Sequence, residues 1–303
     1  MTMRPLRLPA CALLLSALLG AHVAHAQVDV EVIGDTAHAT ILLEDALGTH
    51  YDAEVTIVFD TPTNLSPRSL NLSAELFDPA HPPGALPAGV AIDPAFPMLV
   101  TIEPPGTPEL FTSGFEPFED GTGVLSFHNT YDIEVHTHRL AYTPNSPYRL
   151  LKAPIGGTFA DVTEDVLKGS ARARGRGGAF SQFIVAKDAN TGLVAVLVVI
   201  LPKSTALTLR LTAAILGNLL RGELTALLTN VIAAIGTAVL DPVLGCTNAL
   251  GPLDDFIADV EAHAGIDIAN LWRGQRDMVN DAGELSSLAR TLRFSLLRCA
   301  GGA

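Results

Sequence analysis

Acidic and histidine side chains alternate within Tyr131–Tyr142, and these residue types are the best suited to chemistry. Asp132, Glu134, His136 and His138 occupy every second position there. In an extended strand this spacing places all four side chains on one face. Two imidazoles beside a carboxylate form a candidate metal site, with Glu134, His136 and His138 as the ligands. A solvated sheet face is the favoured alternative, and a patch that titrates near neutral pH is another.

Three arginines alternate in the same way further along the chain. Arg172, Arg174 and Arg176 follow Lys168 in a Gly-flanked segment. On one strand face they would form an anion-binding row for phosphate or an acidic polymer. The favoured alternative is ion pairing with the acidic residues nearby in sequence, namely Asp161, Glu164 and Asp165. The glycine-rich stretch is not a phosphate loop, because it lacks the Lys followed by Ser or Thr.

The sequence carries none of the common hydrolase signatures. It contains no Gly-x-Ser-x-Gly, no Ser-x-x-Lys and no His-Glu-x-x-His motif. We therefore assign no catalytic residue and expect no cofactor. A metal-dependent hydrolase that uses the His-x-His pair is kept as an alternative.

The chain begins with a segment typical of export. A basic start is followed by a short apolar run from Ala10 to Gly20, and Ala24-His25-Ala26 supplies the small-x-small pattern that a signal peptidase reads. Residues 1–26 are therefore predicted to be a signal peptide, and the mature chain is predicted to be periplasmic or secreted. Cys11 precedes most of the apolar run, which argues against a lipoprotein.

Two cysteines, Cys246 and Cys299, remain after the predicted cleavage. An even pair in an exported chain most often forms a disulfide, and two buried free thiols are the alternative. A bridge that closes a loop of roughly 50 residues adds about 3–4 kcal/mol of stability in the chain-entropy model.

The acidic composition limits the partners. The chain has 19 basic and 32 acidic residues, a formal net charge of −13, and two of the basic residues, Arg4 and Arg7, lie in the predicted signal peptide. Nucleic acids and anionic membranes are bound by basic faces. We therefore expect neither as a partner, whereas a protein or an apolar ligand stays open.

Short strand-like segments fill the first two thirds of the chain. Val28, Val30 and Val32 alternate with acidic residues, which is typical of a half-buried strand. Further strands are predicted at Ala37–Leu43, Ala53–Phe59, Ser69–Phe77, Met98–Glu103, Gly123–His128, Tyr131–Tyr142 and Tyr148–Lys152. Pro- and Gly-rich breakers separate them, with no helical period between. The pattern predicts an antiparallel, immunoglobulin-like β-sandwich from Gln27 to Pro202.

A hairpin is predicted to close this sandwich. Phe183–Ala186 and Leu193–Leu201 are apolar and rich in β-branched residues. Asp188–Gly192 between them carries the Asn and Gly of a hairpin loop. The hairpin is expected to lead from the sheet into the helices.

Residues 203–303 are predicted to form a C-terminal helical domain, which makes the fold class α+β. Apolar residues recur there at three- and four-residue steps, the period of a helix. Four or five helices are expected, with interruptions at Asp241-Pro242 and Leu250-Gly251-Pro252.

Two of these helices are predicted near the C-terminus. Asp254–Ala264 is expected to start with capping acids, Asp254 and Asp255. Ile268–Cys299 is expected to break near Asp281-Ala282-Gly283 and to bury Trp272 in the core.

The helical region is apolar, but no transmembrane span is predicted. Leu193–Leu201 is too short to span a bilayer, and charged residues such as Arg210 and Glu223 interrupt Thr205–Leu240. A buried pair of bundle helices is the favoured interpretation. The alternative is a helical hairpin that binds a lipid, an outer-membrane surface or an apolar partner.

Several strings in the centre of the chain carry a family resemblance. They are Tyr148–Pro154, Gly156–Thr163, Gly169–Gly175 and Phe180–Phe183. In these strings the chain resembles an uncharacterised family of exported bacterial proteins with a β N-terminal half and a helical C-terminal half. Leu110–Glu116 is similar to a short segment common in exported bacterial proteins. The resemblance implies location and architecture, and it assigns no activity to any residue.

The leading hypothesis is thus an exported, non-enzymatic binding or structural module. Its predicted binding surface is a groove where the two halves of the chain meet. The alternatives are the metal-dependent hydrolase and a carrier that holds an apolar ligand between its helices.

Overall fold

The computed structural model describes residues 26–106, 123–143, 145–167 and 169–301. Antiparallel sheets occupy the N-terminal half and helices occupy the C-terminal half, so the α+β class is confirmed. The finer prediction of an immunoglobulin-like topology stays a prediction. Three earlier predictions fall outside the described residues: the signal peptide up to residue 25, the segment Leu110–Glu116, and the placement of Lys168.

The described strands run as follows. They are β1 (Ala26–Ile33), β2 (Thr36–Glu44), β3 (His50–Thr63), β4 (Leu72–Leu76), β5 (Val90–Ala91), β6 (Met98–Ile102), β7 (Ser126–Ala141), β8 (Tyr148–Ala153), β9 (Ala160–Asp161), β10 (Thr163–Leu167), β11 (Ser170–Gly177), β12 (Gln182–Asp188) and β13 (Leu271–Arg273). The two segments predicted at Gly123–His128 and Tyr131–Tyr142 form the single long strand β7.

These strands make two antiparallel sheets. The first has the order β1-β2-β3-β7-β11-β10, with β13 also paired to β7. The second has the order β4-β6-β12-β8-β9, with β5 also paired to β12. Strand β7 is central to the first sheet, because β3 pairs along one of its edges and β11 along the other.

One core lies between the two sheets. Alternate residues of the first sheet, such as Ile57 and Val135, and of the second sheet, such as Val100 and Val185, belong to the same buried cluster. Strict alternation fixes the register, because a slip by one residue would turn each apolar side chain to the other face. Trp272 is buried in this core, 5.1 Å from Phe127 between ring centres. It lies in strand β13, so its predicted position in a helix is wrong.

The helices of the described chain are α1 (Pro67–Leu70), α2 (Gly192–Ala195), α3 (Leu201–Ala213), α4 (Asn218–Thr237), α5 (Pro242–His263) and α6 (Asp281–Cys299). A π-helical turn, Val196–Ile200, joins α2 to α3 in one continuous helix. Pro202 has no N–H to donate to the preceding turn, which accounts for the local irregularity. The apolar faces of α3 to α6 pack around a second core.

The predicted closing hairpin is wrong. Leu193–Leu201 is helical, and the chain leaves the second sheet at Asp188. Asp188 Oδ1 accepts hydrogen bonds from the backbone and side chain of Asn190, and the helix begins at Gly192. The run is apolar at every position and therefore has no period that separates strand from helix. Burial of Val196 and Ile200, four residues apart, against the helical core decides the outcome.

The predicted break at Leu250-Gly251-Pro252 is also wrong. Helix α5 continues through Pro252, because Ala249 and Leu253 on either side are buried in the helical core. Asp254 and Asp255 therefore lie inside a helix and are not caps. Asp241 caps α5 instead, since its Oδ1 accepts a hydrogen bond from Leu244 N.

The disulfide between Cys246 and Cys299 is present, with the two Cα atoms 5.9 Å apart. It joins the first part of α5 to the end of α6. It therefore fixes one end of the helical bundle.

Candidate functional site

The polar row on β7 exists, but it is engaged by neighbouring strands. His136 lies opposite Glu54 of β3 and Arg172 of β11. His136 is 6% exposed, and its Nδ1 lies 2.9 Å from Glu54 Oε2. An ionised carboxylate only accepts, so Nδ1 donates in this bond. The bond from His136 holds the pKa of Glu54 below its usual value.

The predicted metal ligands do not converge on one point. His138 is exposed and its ring centre lies 4.6 Å from that of His136, but Glu134 Oε2 accepts a hydrogen bond of 2.5 Å from Arg174 Nε. Over the ranges that the structure describes, no group of three His, Cys, Asp or Glu side chains is arranged to hold a metal ion. The metal prediction therefore gains no support from this arrangement.

The arginine row on β11 pairs mainly with acids of β7. Arg174 binds Glu134, and Arg176 Nε lies 2.7 Å from Asp132 Oδ1 and 3.5 Å from Glu164 Oε1. Ion pairing was the favoured interpretation. Of the partners expected from sequence, Glu164 is confirmed. The pairing with β7 was not foreseen, because it follows from the register of two strands far apart in sequence.

Arg172 is the least neutralised member of this row. Its Nε lies 3.9 Å from Glu134 Oε1, and the same carboxylate is already bound by Arg174. The Nε atom is buried without a hydrogen bond, while the side chain as a whole is 42% exposed. Arg172 therefore keeps donors for a further partner.

A buried lysine joins the helices to the sheets. Lys203 is 8% exposed, and its Nζ donates to Asp161 Oδ2 at 2.7 Å, Thr291 Oγ1 at 2.7 Å and Ser295 Oγ at 2.9 Å. Burial lowers the pKa of Lys203, although Asp161 opposes this effect. Asp161 was expected to pair with the arginine row, and that expectation is wrong. Because the lysine is fully partnered, it positions α3 and α6 on the sheet edge.

A second buried cation lies at the same junction. Arg149 is 2% exposed, and its Nε lies 3.6 Å from Asp188 Oδ2. Its guanidinium also covers the ring of Phe294 at 5.4 Å. Neither Arg149 nor Lys203 was predicted from the sequence to be a site residue. Lys203 carried a signal, because it is a lone charge inside an apolar helical run.

A groove of about 560 Å³ opens where the first sheet meets α6. This volume is typical of a site for a small ligand. Its lining includes Tyr142, Ser146, Leu167, Arg172, Phe294 and Arg298. It lies at the predicted junction of the two halves.

Seven exposed apolar side chains belong to segments that lie at one end of the helical bundle. We call this set the apolar tip. It comprises Leu193, Val194, Leu197, Val239, Leu240, Val243 and Leu244, each between 42% and 92% exposed. The disulfide and a cavity of about 120 Å³ lined by Gly192, Ala195 and Cys299 bring the starts of α2 and α5 to the end of α6. The loop that holds Val239 and Leu240 leads directly into α5.

Two helices, the first of which carries Leu193, Val194 and Leu197 of the apolar tip, are long and apolar enough to cross a membrane by length and composition. They are Gly192–Ala213 and Asn218–Thr237, and in each only 28% of the most apolar window is buried. Leu193–Leu201 is part of a 22-residue helix, so the length of this run does not exclude a membrane span. No span is established by these two properties.

Comparison with known proteins gives a family and no activity. Neither the curated proteins nor the solved structures include a match to this chain. The model of a family of unknown function, DUF6689, matches residues 14–300. Since the match covers nearly the whole sequence, from the apolar N-terminal run to the end of α6, the chain belongs to the DUF6689 family.

Proposed function

We propose that this chain is a non-enzymatic binding module that acts outside the cytoplasm and binds protein through the apolar tip. The occupant that we propose is the apolar tip of a second copy of the chain. The observation that carries the proposal is the exposure of these seven apolar side chains at one end of the bundle, because exposed apolar surface that forms a patch marks interaction sites. Leu240 alone is 92% exposed.

The character of the surrounding helices favours a protein over a membrane. From Gly192 to Leu253 the sequence has no Phe, Tyr or Trp, the residues that anchor proteins at a membrane interface. The basic residues of this stretch are occupied: Lys203 is buried, Arg210 Nη2 lies 2.6 Å from Asp281 Oδ1, and Arg221 donates to backbone carbonyls at the end of α3. Amphipathic helices that lie on membranes present basic residues instead.

Charge favours a second copy as the occupant. The chain carries a formal net charge of −13, so two copies repel each other when their acidic surfaces meet. Between Gly192 and Leu253 the only exposed charges are Glu223 and Asp241, and Asp241 caps α5. The apolar tip is therefore a surface on which two copies can approach with little repulsion. A two-fold axis would then place each tip against the other.

The location belongs to the same proposal. A disulfide is typical of an oxidising compartment, and residues 1–26 have the pattern of a signal peptide. Cleavage before Gln27 would leave nearly all of β1 intact, because its pairing with β2 continues from Gln27 opposite Leu42. Mass spectrometry of the exported fraction tests this point, since the mature chain should start at Gln27.

Sedimentation velocity over a wide range of protein concentration tests the interaction. The mature chain should form a dimer that persists at high salt, because apolar contacts are not screened. Leu240→Glu and Val243→Glu should each yield a monomer, since either change buries a carboxylate in the contact. Leu47→Glu is the matched control: Leu47 is 91% exposed between β2 and β3, outside the tip.

Two outcomes would overturn the proposal. One is a monomer at every concentration. The other is a dimer that the two tip variants do not weaken. Flotation with neutral phosphatidylcholine vesicles covers the membrane alternative: a wild-type chain that floats while the tip variants do not would make the surface a membrane site.

A further inference from the structure

The groove between the first sheet and α6 combines cationic and aromatic side chains. Arg172 projects from β11, and Arg298 comes from the end of α6. Tyr142, Leu167 and Phe294 provide apolar surface between them. Two guanidinium groups in one groove are notable in a chain of net charge −13. This combination fits a ligand that has both an acidic group and an apolar body.

Arg298 is held in place without being neutralised. Its Nη1 donates to Ser146 O at 3.0 Å, and its guanidinium lies 5.9 Å from the ring centre of Phe294. Within the described part of the chain, Arg298 makes no ion pair with a carboxylate. Ser146 is 4% exposed and its carbonyl also accepts from Arg149, so the support for Arg298 is rigid. The remaining donors of the guanidinium are therefore available to a ligand.

Arg172 supplies the second cationic group. Its Nε is buried and has no hydrogen bond, Glu134 at 3.9 Å is shared with Arg174, and Glu54 interacts with Arg172 electrostatically. Asp165 also lines the groove, and its Oδ1 accepts a hydrogen bond from the Val166 backbone N–H. Among the residues that the structure describes, the lining of the groove has two guanidinium groups and one carboxylate. Planar guanidinium groups bind carboxylate and phosphate oxygens by paired, charge-assisted hydrogen bonds.

We infer that this groove binds a small amphiphilic anion. Its carboxylate or phosphate head contacts Arg172 and Arg298, and its apolar body lies against Tyr142, Leu167 and Phe294. None of the tip residues lines this groove, although the small cavity next to the tip shares Phe294 and Arg298 with it.

Calorimetric titration of the mature chain tests the inference with octanoate and octyl phosphate as probes. Octan-1-ol has the same apolar body without charge, and inorganic phosphate has the head alone. We expect one or both amphiphilic anions to bind. Octan-1-ol and inorganic phosphate should each bind at least about tenfold more weakly, because charge-assisted hydrogen bonds and apolar burial both contribute to the affinity. Comparison of the affinities of octanoate and octyl phosphate distinguishes a carboxylate ligand from a phosphate ligand.

Three variants connect the binding to the groove. Arg298→Gln and Arg172→Gln should each weaken binding of the anion about tenfold or more. Arg293→Gln is the control on the same helix, since Arg293 binds Asp254 away from the groove, and it should leave binding unchanged. Thermal unfolding checks that Arg298→Gln is folded, and Arg172 on the exposed face of β11 provides an independent test if it is not. Absence of binding by both anions, equal binding of octan-1-ol, or equal losses in the Arg293 variant would overturn the inference.

Discussion

Lys203 is the residue on which the junction of helices and sheets most depends. Its ammonium reaches Asp161 on β9 together with Thr291 and Ser295 on α6, so one side chain of α3 contacts two other elements. Thr291 Oγ1 in turn donates to Asp161 O at 3.0 Å and Thr163 O at 3.1 Å. A buried ion pair is tolerated here because each polar atom is hydrogen-bonded.

Replacing Lys203 with Met should destabilise the protein strongly. The change leaves the Asp161 carboxylate buried without its main cation, for which we expect a loss of about 3–5 kcal/mol in the free energy of unfolding. Arg290→Met is the control, because it removes a partly exposed ion pair with Glu261 and should cost at most about 1 kcal/mol. Urea unfolding measures both. Equal losses of stability in the two variants would mean that the buried Asp161 carboxylate does not need Lys203 as its cation.

The same substitution should reverse the pH dependence that comes from Asp161. Burial alone would raise the pKa of Asp161, but Lys203, followed by Arg149, holds it below its usual value. In the wild type, this group therefore contributes stability above the ordinary pKa of an aspartate, and that contribution is lost as the pH falls through the folded value. Without Lys203, burial should raise the pKa, so stability should be lost as the pH rises.

Urea unfolding measured at a series of pH values from neutral to acid tests this predicted change of stability with pH. The stability difference between the wild type and Lys203→Met should be largest at neutral pH and should shrink below a pH of about 4. A difference that stays constant over this range would contradict the assigned role of Asp161.

Helix α6 is the element that attaches the helical half to the sheets. Asn280 caps it, since Asn280 Oδ1 accepts from Gly283 N, and Asn280 Nδ2 donates to the backbone carbonyls of Asn129 and Gly178. The first turn of α6 therefore packs directly against the backbone at Asn129 and Gly178. A Cβ atom at Gly283 would lie 1.9 Å from Asn129 O, so no side chain fits there.

Alanine at Gly283 and at Gly222 should have opposite effects. Alanine favours a helix over glycine by about 1 kcal/mol at both positions. At Gly222 in α4 a new Cβ meets open space, so we expect a gain of about 0.5–1 kcal/mol. At Gly283 the clash with β7 should outweigh this gain and destabilise the protein by about 1–3 kcal/mol. Thermal unfolding of the two variants checks the signs, and stabilisation by Gly283→Ala would refute the close packing.

At the scale of the whole molecule, the disulfide holds together the end that carries the apolar tip. It joins residues 53 positions apart, from the first part of α5 to the last residue of α6. The tip depends on this end of the bundle, since its residues come from α2, from the π-helical turn that follows it, from the loop after α4 and from α5.

Removal of the disulfide should lower global stability. For Cys246→Ser with Cys299→Ser we expect a loss of about 4 kcal/mol, because a closed loop of this length restricts the unfolded chain. Urea unfolding with and without a reductant measures the effect. The wild type should weaken in reductant while the double variant should not respond. Equal stability of the two proteins would show that the bridge contributes nothing.

The sequence by itself determined the features that depend on local pattern. Alternation identified β7 and placed Glu134 and His136 on one face, and the helical period located α3 and α4. The count of cysteines after the predicted cleavage determined the disulfide. These features could be predicted because a two-residue or 3.6-residue period is imposed by the geometry of the element itself.

Only the tertiary structure decided which residues meet. Leu193–Leu201 has no period, so burial against the helical core, rather than the local pattern, made it a helix. Arg174 pairs with Glu134, 40 positions away, because β11 and β7 lie side by side, and Lys203 meets Asp161 because α3 packs on a sheet edge. The groove and the apolar tip are likewise formed by segments distant in the chain. Such contacts depend on how whole elements pack, and a single sequence carries no local signal for them.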